Sequence, residues 1–482
     1  MKISVKNTPG ILVTLGFILL LACNKKWQDH NAVTEQDLTI NLLEAISENA
    51  DLSKFHEFLV ATGYDKEIAS SKTYTIWAPV NQALQSLDPA ITGDPVLLKQ
   101  FIGNHISRQL YFTNAVQSSP LRVPMLNGKH NTFSPGKLDE ANLLQSNRYV
   151  KNGVLHTIDR SLTPLPNGWE LINTTTTGAK QQAFILSLNY DGFDPDLAVQ
   201  TGVDPVTGEP VYEPGTGLVP RNVFLNQSAN LKDEDSLFTY FIMLDSTFDR
   251  EHDKLKDYFV TPYTDTTDML TNLHLVRDLA FSGLYTADDL PDTLVSKFGV
   301  KMGIDKGKIL QTIRLSNGVA YVMSDIDFVK KDKLLPFVIQ GENPRSFSHE
   351  RRSNTFYRIR TNPGTNEEFR DILVQGHSTS QFNIGYRIRN VFSCKYDVYW
   401  VAVNDFMATT HSQRILLDSA NSTNGIAYTV VPLAEYNPVL VGQVTVTDYK
   451  TAMDVFLVAA NSTNNSLNPL TLDYIKLVPV IQ

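Results

Sequence analysis

The feature that most restricts what this chain can fold into is an internal repeat. The segment YTIWAPVNQAL at residues 74–84 aligns without a gap on FTYFIMLDSTF at 238–248, and NGVLHTIDR at 152–160 aligns on NGVAYVMSD at 317–325. The two segments begin 78 residues apart in the first copy and 79 in the second. Matched segments at matched spacing predict two copies of one domain. In each copy an apolar run of strand formers comes first, and the Asn-Gly pair later sets a tight turn before a second apolar run. The second copy keeps Asn317, Gly318, Val319 and the apolar Met323 but replaces His156 by Tyr321 and Asp159 by Ser324. In a strand, residues three apart point to opposite faces, so His156 and Asp159 do not form a dyad, and a packing role is expected for His156.

The first copy has further marks. NLLEAISENADLSKFHEFL sets Leu42, Leu43 and Ile46, then Phe55, Phe58 and Leu59, at helical spacing, with Ser53 as a plausible N-cap. FIGNHI follows at 101–106, then NGVLHTIDRSLTP at 152–164. In this order the pieces resemble the fasciclin-type domain over residues 38–164. Ala78, Pro79 and Asn81 match its first motif, with Val80 where threonine is usual. His105 matches its second motif, with Asn104 where tyrosine is usual, and Asn152, Gly153, Val154, His156, Ile158 and Asp159 match its third. The resemblance implies an α/β wedge-shaped sandwich in which these residues are structural, and an interaction module that performs no catalysis. A second, divergent fasciclin-type domain is expected over 165–331, reached through TPLPNG at 163–168. It carries an insertion at 191–217, turn-rich and acidic, which reads as an exposed loop of the sort that meets partners; its aspartate spacing fits no calcium loop.

From residue 332 to 482 the pattern is strands separated by Asn/Ser/Thr/Gly loops. The closing LTLDYIKLVPV resembles the last strand of galactose-binding jelly rolls. The expected fold class is therefore α+β: two fasciclin-type α/β wedge-shaped sandwiches followed by an all-β jelly-roll-like sandwich. Tyr396, Val398 and Trp400 alternate with Lys395, Asp397 and Tyr399, so Tyr399 and Trp400 could stack on a sugar, or Tyr396 and Trp400 could be core. Arg345, Arg351, Arg352, Arg358, Arg360, Arg387 and Arg389 crowd this region. They suit either an anionic partner or local acids such as Glu350.

At the N-terminus, Lys2 and Lys6 precede an apolar run from Ile11 that is too short to span a membrane comfortably. It predicts a signal peptide over 1–22. LLAC at 20–23 resembles the bacterial lipoprotein cleavage box, with Cys23 as the lipidated residue and 23–37 as a tether; acylation at Cys23 would anchor the chain without a spanning helix. Surface-exported lipoproteins often carry acidic residues after the cysteine, whereas Lys25 and Lys26 stand here. Only Cys394 remains, so no disulfide forms within a mature chain. A net charge of −9 argues against nucleic-acid binding. No zinc-type Cys/His set, phosphate-cradling Gly loop or nucleophile elbow occurs. The expectation is no enzyme, no cofactor and no metal. Bacterial lipoproteins of this arrangement resemble accessory subunits beside SusC/SusD-type uptake systems. That implies an outer-membrane, lipid-anchored, cell-surface location, with a TonB-dependent SusC-like transporter and a SusD-like lipoprotein as partners and glycan or peptide as cargo. The rival readings are a cell-surface adhesin and a glycan-degrading enzyme with its site in the sandwich. DTT at 265–267 and DSA at 418–420 resemble short O-glycosylation signals.

Overall fold

The computed structural model describes residues 35–69, 72–350 and 352–481. The expected signal peptide, the lipidated Cys23, residues 24–34 of the tether and Arg351 lie outside the described residues.

In the first repeat, short helices cover one face of a sheet. Asn41 caps the helix Leu42–Ser47 through a capping box with Glu44, and Asp94 caps Pro95–Gly103, where Pro95 starts the first turn. The helix Ser53–Thr62 ends at Gly63, whose φ of 76° is the left-handed stop that favours glycine. Strand Tyr74–Pro79 pairs in parallel with Gly153–Ile158, setting Trp77 opposite His156. Both strands are buried along their whole length, which is why apolar residues dominate them without a two-residue alternation. One core lies on the helical face around Phe55, Leu59, Ile76 and Phe101. The other lies on the opposite face around Trp77, Phe133 and Ile158. Glu35–Asp37 pairs in parallel with Arg148–Val150, so the last three residues of the expected tether belong to this sheet, held by backbone hydrogen bonds that a flexible tether would lack.

The second repeat has the same strand order. Ala280–Ser282, Phe238–Met243, Gly318–Met323 and Ile309–Leu315 follow one another across its sheet as Ile106–Ser107, Tyr74–Pro79, Gly153–Ile158 and Ala141–Val150 do in the first. The insertion departs from the expected loop. Asn189–Phe193 pairs with Leu218–Asn222, and Gln200–Val203 with Pro210–Tyr212, so it is a two-tier β-ribbon. Its strands are three to five residues long, which leaves no alternation for the sequence to display.

The C-terminal region is antiparallel throughout its sheets. A four-stranded sheet runs Phe337–Gln340, Tyr474–Pro479, Lys395–Val401, Val439–Thr445. A five-stranded sheet runs Ser346–Phe347, Asn383–Val391, Lys450–Ala459, His411–Leu417, Thr429–Val431, and a smaller sheet joins Thr355–Thr361, Glu368–Val374 and Leu470–Leu472.

Contacts divide the chain into two compact units rather than at the expected boundaries of 164/165 and 331/332. The first unit holds the described residues up to Leu171 together with Leu231–Leu237 and Arg314–Gly318. Ion pairs tie those two segments in: Glu234 meets Lys129 at 2.8 Å, and Arg314 meets Asp139 at 2.9 Å. The second unit holds the rest of the second repeat and the sandwich. There, Phe259 packs against His274 (4.5 Å between ring centroids) and against Phe392 (5.6 Å), while Tyr449 donates to Asn390 Oδ1. An aromatic core thus crosses residue 331/332.

Candidate functional site

Asn152 is a clamp: its Oδ1 accepts the Leu42 N–H (2.8 Å), its Nδ2 donates to the Ile68 carbonyl (2.7 Å), and its own carbonyl accepts the Tyr74 N–H. Gly153 follows because a Cβ there would lie 2.0 Å from the Tyr74 carbonyl oxygen. Asn81 accepts the Lys54 N–H and donates to Ala50 O and Ser53 Oγ, fixing the start of the Ser53–Thr62 helix; Ser53, expected as its cap, is the first helical residue. Ala78 and Pro79 close the buried strand that leads to it.

Both histidines are spent on internal bonds. His105 Nδ1 donates to Phe101 O (2.9 Å) and Nε2 accepts the Leu162 N–H (3.1 Å). His156 Nε2 donates to Tyr111 O (3.0 Å), Nδ1 accepts the Asn147 N–H (3.3 Å), and the ring stacks on Trp77. Burial lowers each to about 4, so both stay neutral at ordinary pH. Asp159 accepts from the backbone and side chain of Asn142 (2.8 and 2.7 Å). Burial pushes its carboxyl up, but those bonds and the Arg160 guanidinium outweigh it and hold the group below the usual carboxylate range.

The second repeat rebuilds these contacts with other side chains. Asn317 Oδ1 accepts the Gly168 N–H (3.0 Å) and its Nδ2 donates to Leu231 O (3.0 Å), repeating the Asn152 clamp. Tyr321, at the position of His156, donates its hydroxyl to Tyr285 O (2.8 Å) and faces Phe241, the counterpart of Trp77, at 5.6 Å. Thr75 and Thr239 each bridge a carbonyl and an N–H of the neighbouring segment.

In the sandwich the structure redistributes the expected contact residues. Trp400 is 1 % exposed and Tyr396 wholly buried, so Trp400 is core and not a sugar platform. Its strand alternates, which sends Tyr399 to the half-buried outer face. Arg358 and Arg360 converge on the buried Asp371, at 2.8 Å from Arg358 Nε and 3.0 Å from Arg360 Nη1. Arg360 also pairs with Asp405 and lies over the Phe369 ring. Arg387 is bidentate to Asp454, which Arg345 also reaches. The expected docking surface at Arg358, Arg360 and Arg387 is therefore mostly local ion pairing, because the fold brings acids 11 to 67 residues away in sequence beside them. Arg389 has no ion pair among the described residues and reaches a cleft of about 230 Å³ beside His274, Arg277 and Lys333. Lys333 is occupied there by the buried Asp278 at 2.6 Å, and burial lowers its amine to about 8.

Two larger clefts went unseen in the sequence. One, of about 480 Å³, lies on the sandwich between Phe347, His349, Glu350, Arg352, Thr355 and Tyr357. Phe347 is 37 % and Tyr357 57 % exposed, and Glu350 pairs with Arg352 at 3.0 Å. The other, of about 460 Å³, lies in the first unit beside Ile91, Leu97, Phe101, Asn127 and Lys129. In it Lys129 Nζ sits between Glu170 (2.5 Å) and Glu234 (2.8 Å), while Glu234 Oε2 is buried without a hydrogen-bond partner among the described residues. That oxygen keeps unused acceptor capacity. No motif announces either cleft, since the second joins residues 105 apart. Among the described residues no group of three or more His, Cys, Asp or Glu is placed to hold a metal ion, and no helix is long and apolar enough to cross a membrane.

Residues 50–164 match the Fasciclin domain family. Among solved structures, a FAS1 domain pair from the insect cell adhesion molecule Fasciclin I is 16% identical, with 59% of this chain and 99% of that chain covered and a TM-score of 0.23. A family 35 carbohydrate binding module from Clostridium thermocellum is 14% identical over 30% of this chain and 99% of its own, with a TM-score of 0.21. The C-terminal CBM6 of the marine enzyme LamC from Zobellia galactanivorans is 10% identical over 30% of this chain and 99% of its own, also at 0.21. None of the curated proteins matches the sequence.

Proposed function

We propose that this protein is a non-catalytic binding lipoprotein, anchored through Cys23 in the outer membrane and facing the cell surface, that serves as an accessory subunit of a SusC/SusD-type uptake complex. The observation that carries the binding part is the sandwich cleft. Phe347 and Tyr357 offer partly exposed ring faces beside the Glu350–Arg352 pair. Aromatic faces next to hydrogen-bonding charges suit a glycan, whose C–H faces stack while its hydroxyls bond, or a peptide with an apolar side chain. The histidines and aspartate of the fasciclin domain, by contrast, serve its own backbone. The transporter association rests on the signal and lipobox pattern together with the domain order. Affinity isolation of the full-length chain from detergent-solubilised outer membrane tests it. Co-recovery of a β-barrel transporter and a SusD-like lipoprotein is expected. Their absence overturns the uptake role, and attachment of cells or matrix without them points to an adhesin.

A further inference from the structure

The ribbon inserted in the second repeat, residues 189–222, is built unlike the rest of the molecule. Two-stranded ribbons are marginal in water unless something covers them. Yet this one holds Phe193, Leu197, Val199, Val203, Val206 and Leu218 exposed, between 47% and 90%. Phe193 and Leu218 are directly opposed across the strand pair and so share one face. The tip is shaped with care. Asp204 Oδ1 accepts the N–H groups of Val206 (2.7 Å) and Thr207 (3.0 Å), Gly208 takes φ +74°, and Val206 is left 90 % exposed at the turn. Phe193 and Tyr212 meet edge to face at 5.1 Å, linking the two tiers. A single exposed apolar residue needs no explanation, but a cluster on a fixed turn marks an interaction surface.

Its chemistry narrows the occupant. Six carboxylates stand in this stretch against one basic residue, Arg221. Prolines 195, 205, 210, 214 and 220 remove backbone donors along it, which blunts strand addition and leaves side-chain docking. A second copy would bring the same negative field, and an anionic lipid surface would be repelled likewise. We propose that the ribbon is a docking arm for a protein partner whose contact surface is an apolar patch rimmed by lysine and arginine, with Val206 as the inserted anchor. This rests on the reading of the chain as a complex-forming subunit and names the part that makes the contact.

The test places a photo-crosslinking residue at Val206 in the full-length chain in living cells, with Leu310, 59 % exposed outside the arm, as the control position. A discrete adduct is expected from 206 and not from 310, with the crosslinked peptide, identified by mass spectrometry, apolar and flanked by Lys or Arg. The adduct from a crosslinker at Leu197 is expected to fall about tenfold or more in Val206→Asp, and the double substitution Asp196→Lys with Glu209→Lys should weaken it similarly. Because these side chains are exposed, the variants keep the wild-type melting temperature. Crosslinking to a second copy, to lipid or to a peptide without basic residues overturns the proposal, as does equal labelling from 206 and 310. If Val206→Asp still recovers the transporter and SusD-like partners at wild-type yield, the arm is wrong while the uptake reading stands.

Discussion

The two repeats solve one structural problem with different side chains. In the first, Trp77 packs on His156 and the imidazole donates to the Tyr111 carbonyl; in the second, Phe241 packs on Tyr321 and the phenol donates to the Tyr285 carbonyl. The larger ring on one strand meets the smaller on the next in one copy, and the order is reversed in the other. What persists is a donor aimed at a half-buried backbone carbonyl and an asparagine clamp at the strand's start. The comparison teaches that the histidine is kept for its hydrogen bond and shape, because a phenol does the same work.

Four experiments break or sharpen that comparison. The largest effect is expected from Gly153→Ala, whose methyl would collide with the Tyr74 backbone 2.0 Å away. A loss of about 4 kcal/mol or more should abolish folding of the first repeat, read by hydrogen exchange of the 74–79 strand. Next, Asn152→Ala strands two backbone groups and Asn317→Ala three, at a cost of about 2–4 kcal/mol apiece in urea unfolding. Similar losses in both repeats would establish the clamp as common, and a large loss in only one would break the equivalence.

The repeats should also differ in acid: His105 and His156 have Leu279 and Tyr321 as counterparts, and against that pair of lowered histidines the second repeat sets only His274, which burial holds well below its usual range. Both histidines are lowered to about 4 in the folded chain, while the unfolded chain protonates them near 6.5. The unfolded state therefore binds more protons between those values. Stability is whole above about pH 6.5 and falls as pH drops towards 4, by on the order of 3 kcal/mol per histidine. Hydrogen exchange of the 153–158 strand at pH 7 and pH 5, corrected for intrinsic rates, should show the first repeat opening more readily in acid. The smallest effect is a swap. His156→Tyr alone overpacks the site against Trp77 and costs about 1–3 kcal/mol, and adding Trp77→Phe recovers most of that by restoring the second repeat's pairing. Additive losses in a double-mutant cycle would show that the pairs are not interchangeable.

Much of the fold was legible because it is local or periodic. The Asn-Gly turns, the apolar central strands and the 78- and 79-residue spacings predict two copies, and both copies have the same strand order. The helix starts at Asn41 and Asp94 carry a local signal too, a capping residue followed by a helical run. The ribbon is not legible as strands because each is too short to carry a period. At Trp400 the alternation of Lys395–Val401 allowed two assignments, and the buried side proved to hold Tyr396, Val398 and Trp400 together.

The sequence by itself determined that there are two copies of one domain, that the turn and apolar face outlast the histidine, and that the final third is strands. These are matters of spacing and local backbone preference, which neighbouring residues set. Only the tertiary structure decided which charges meet. Arg358 and Arg360 are quenched on Asp371, Lys129 lies between Glu170 and Glu234, and the second repeat shares a core with the sandwich through Phe259, His274 and Phe392. Such pairings join residues tens to hundreds of positions apart. Strand register and packing fix them, and neither is written in any short stretch of the chain.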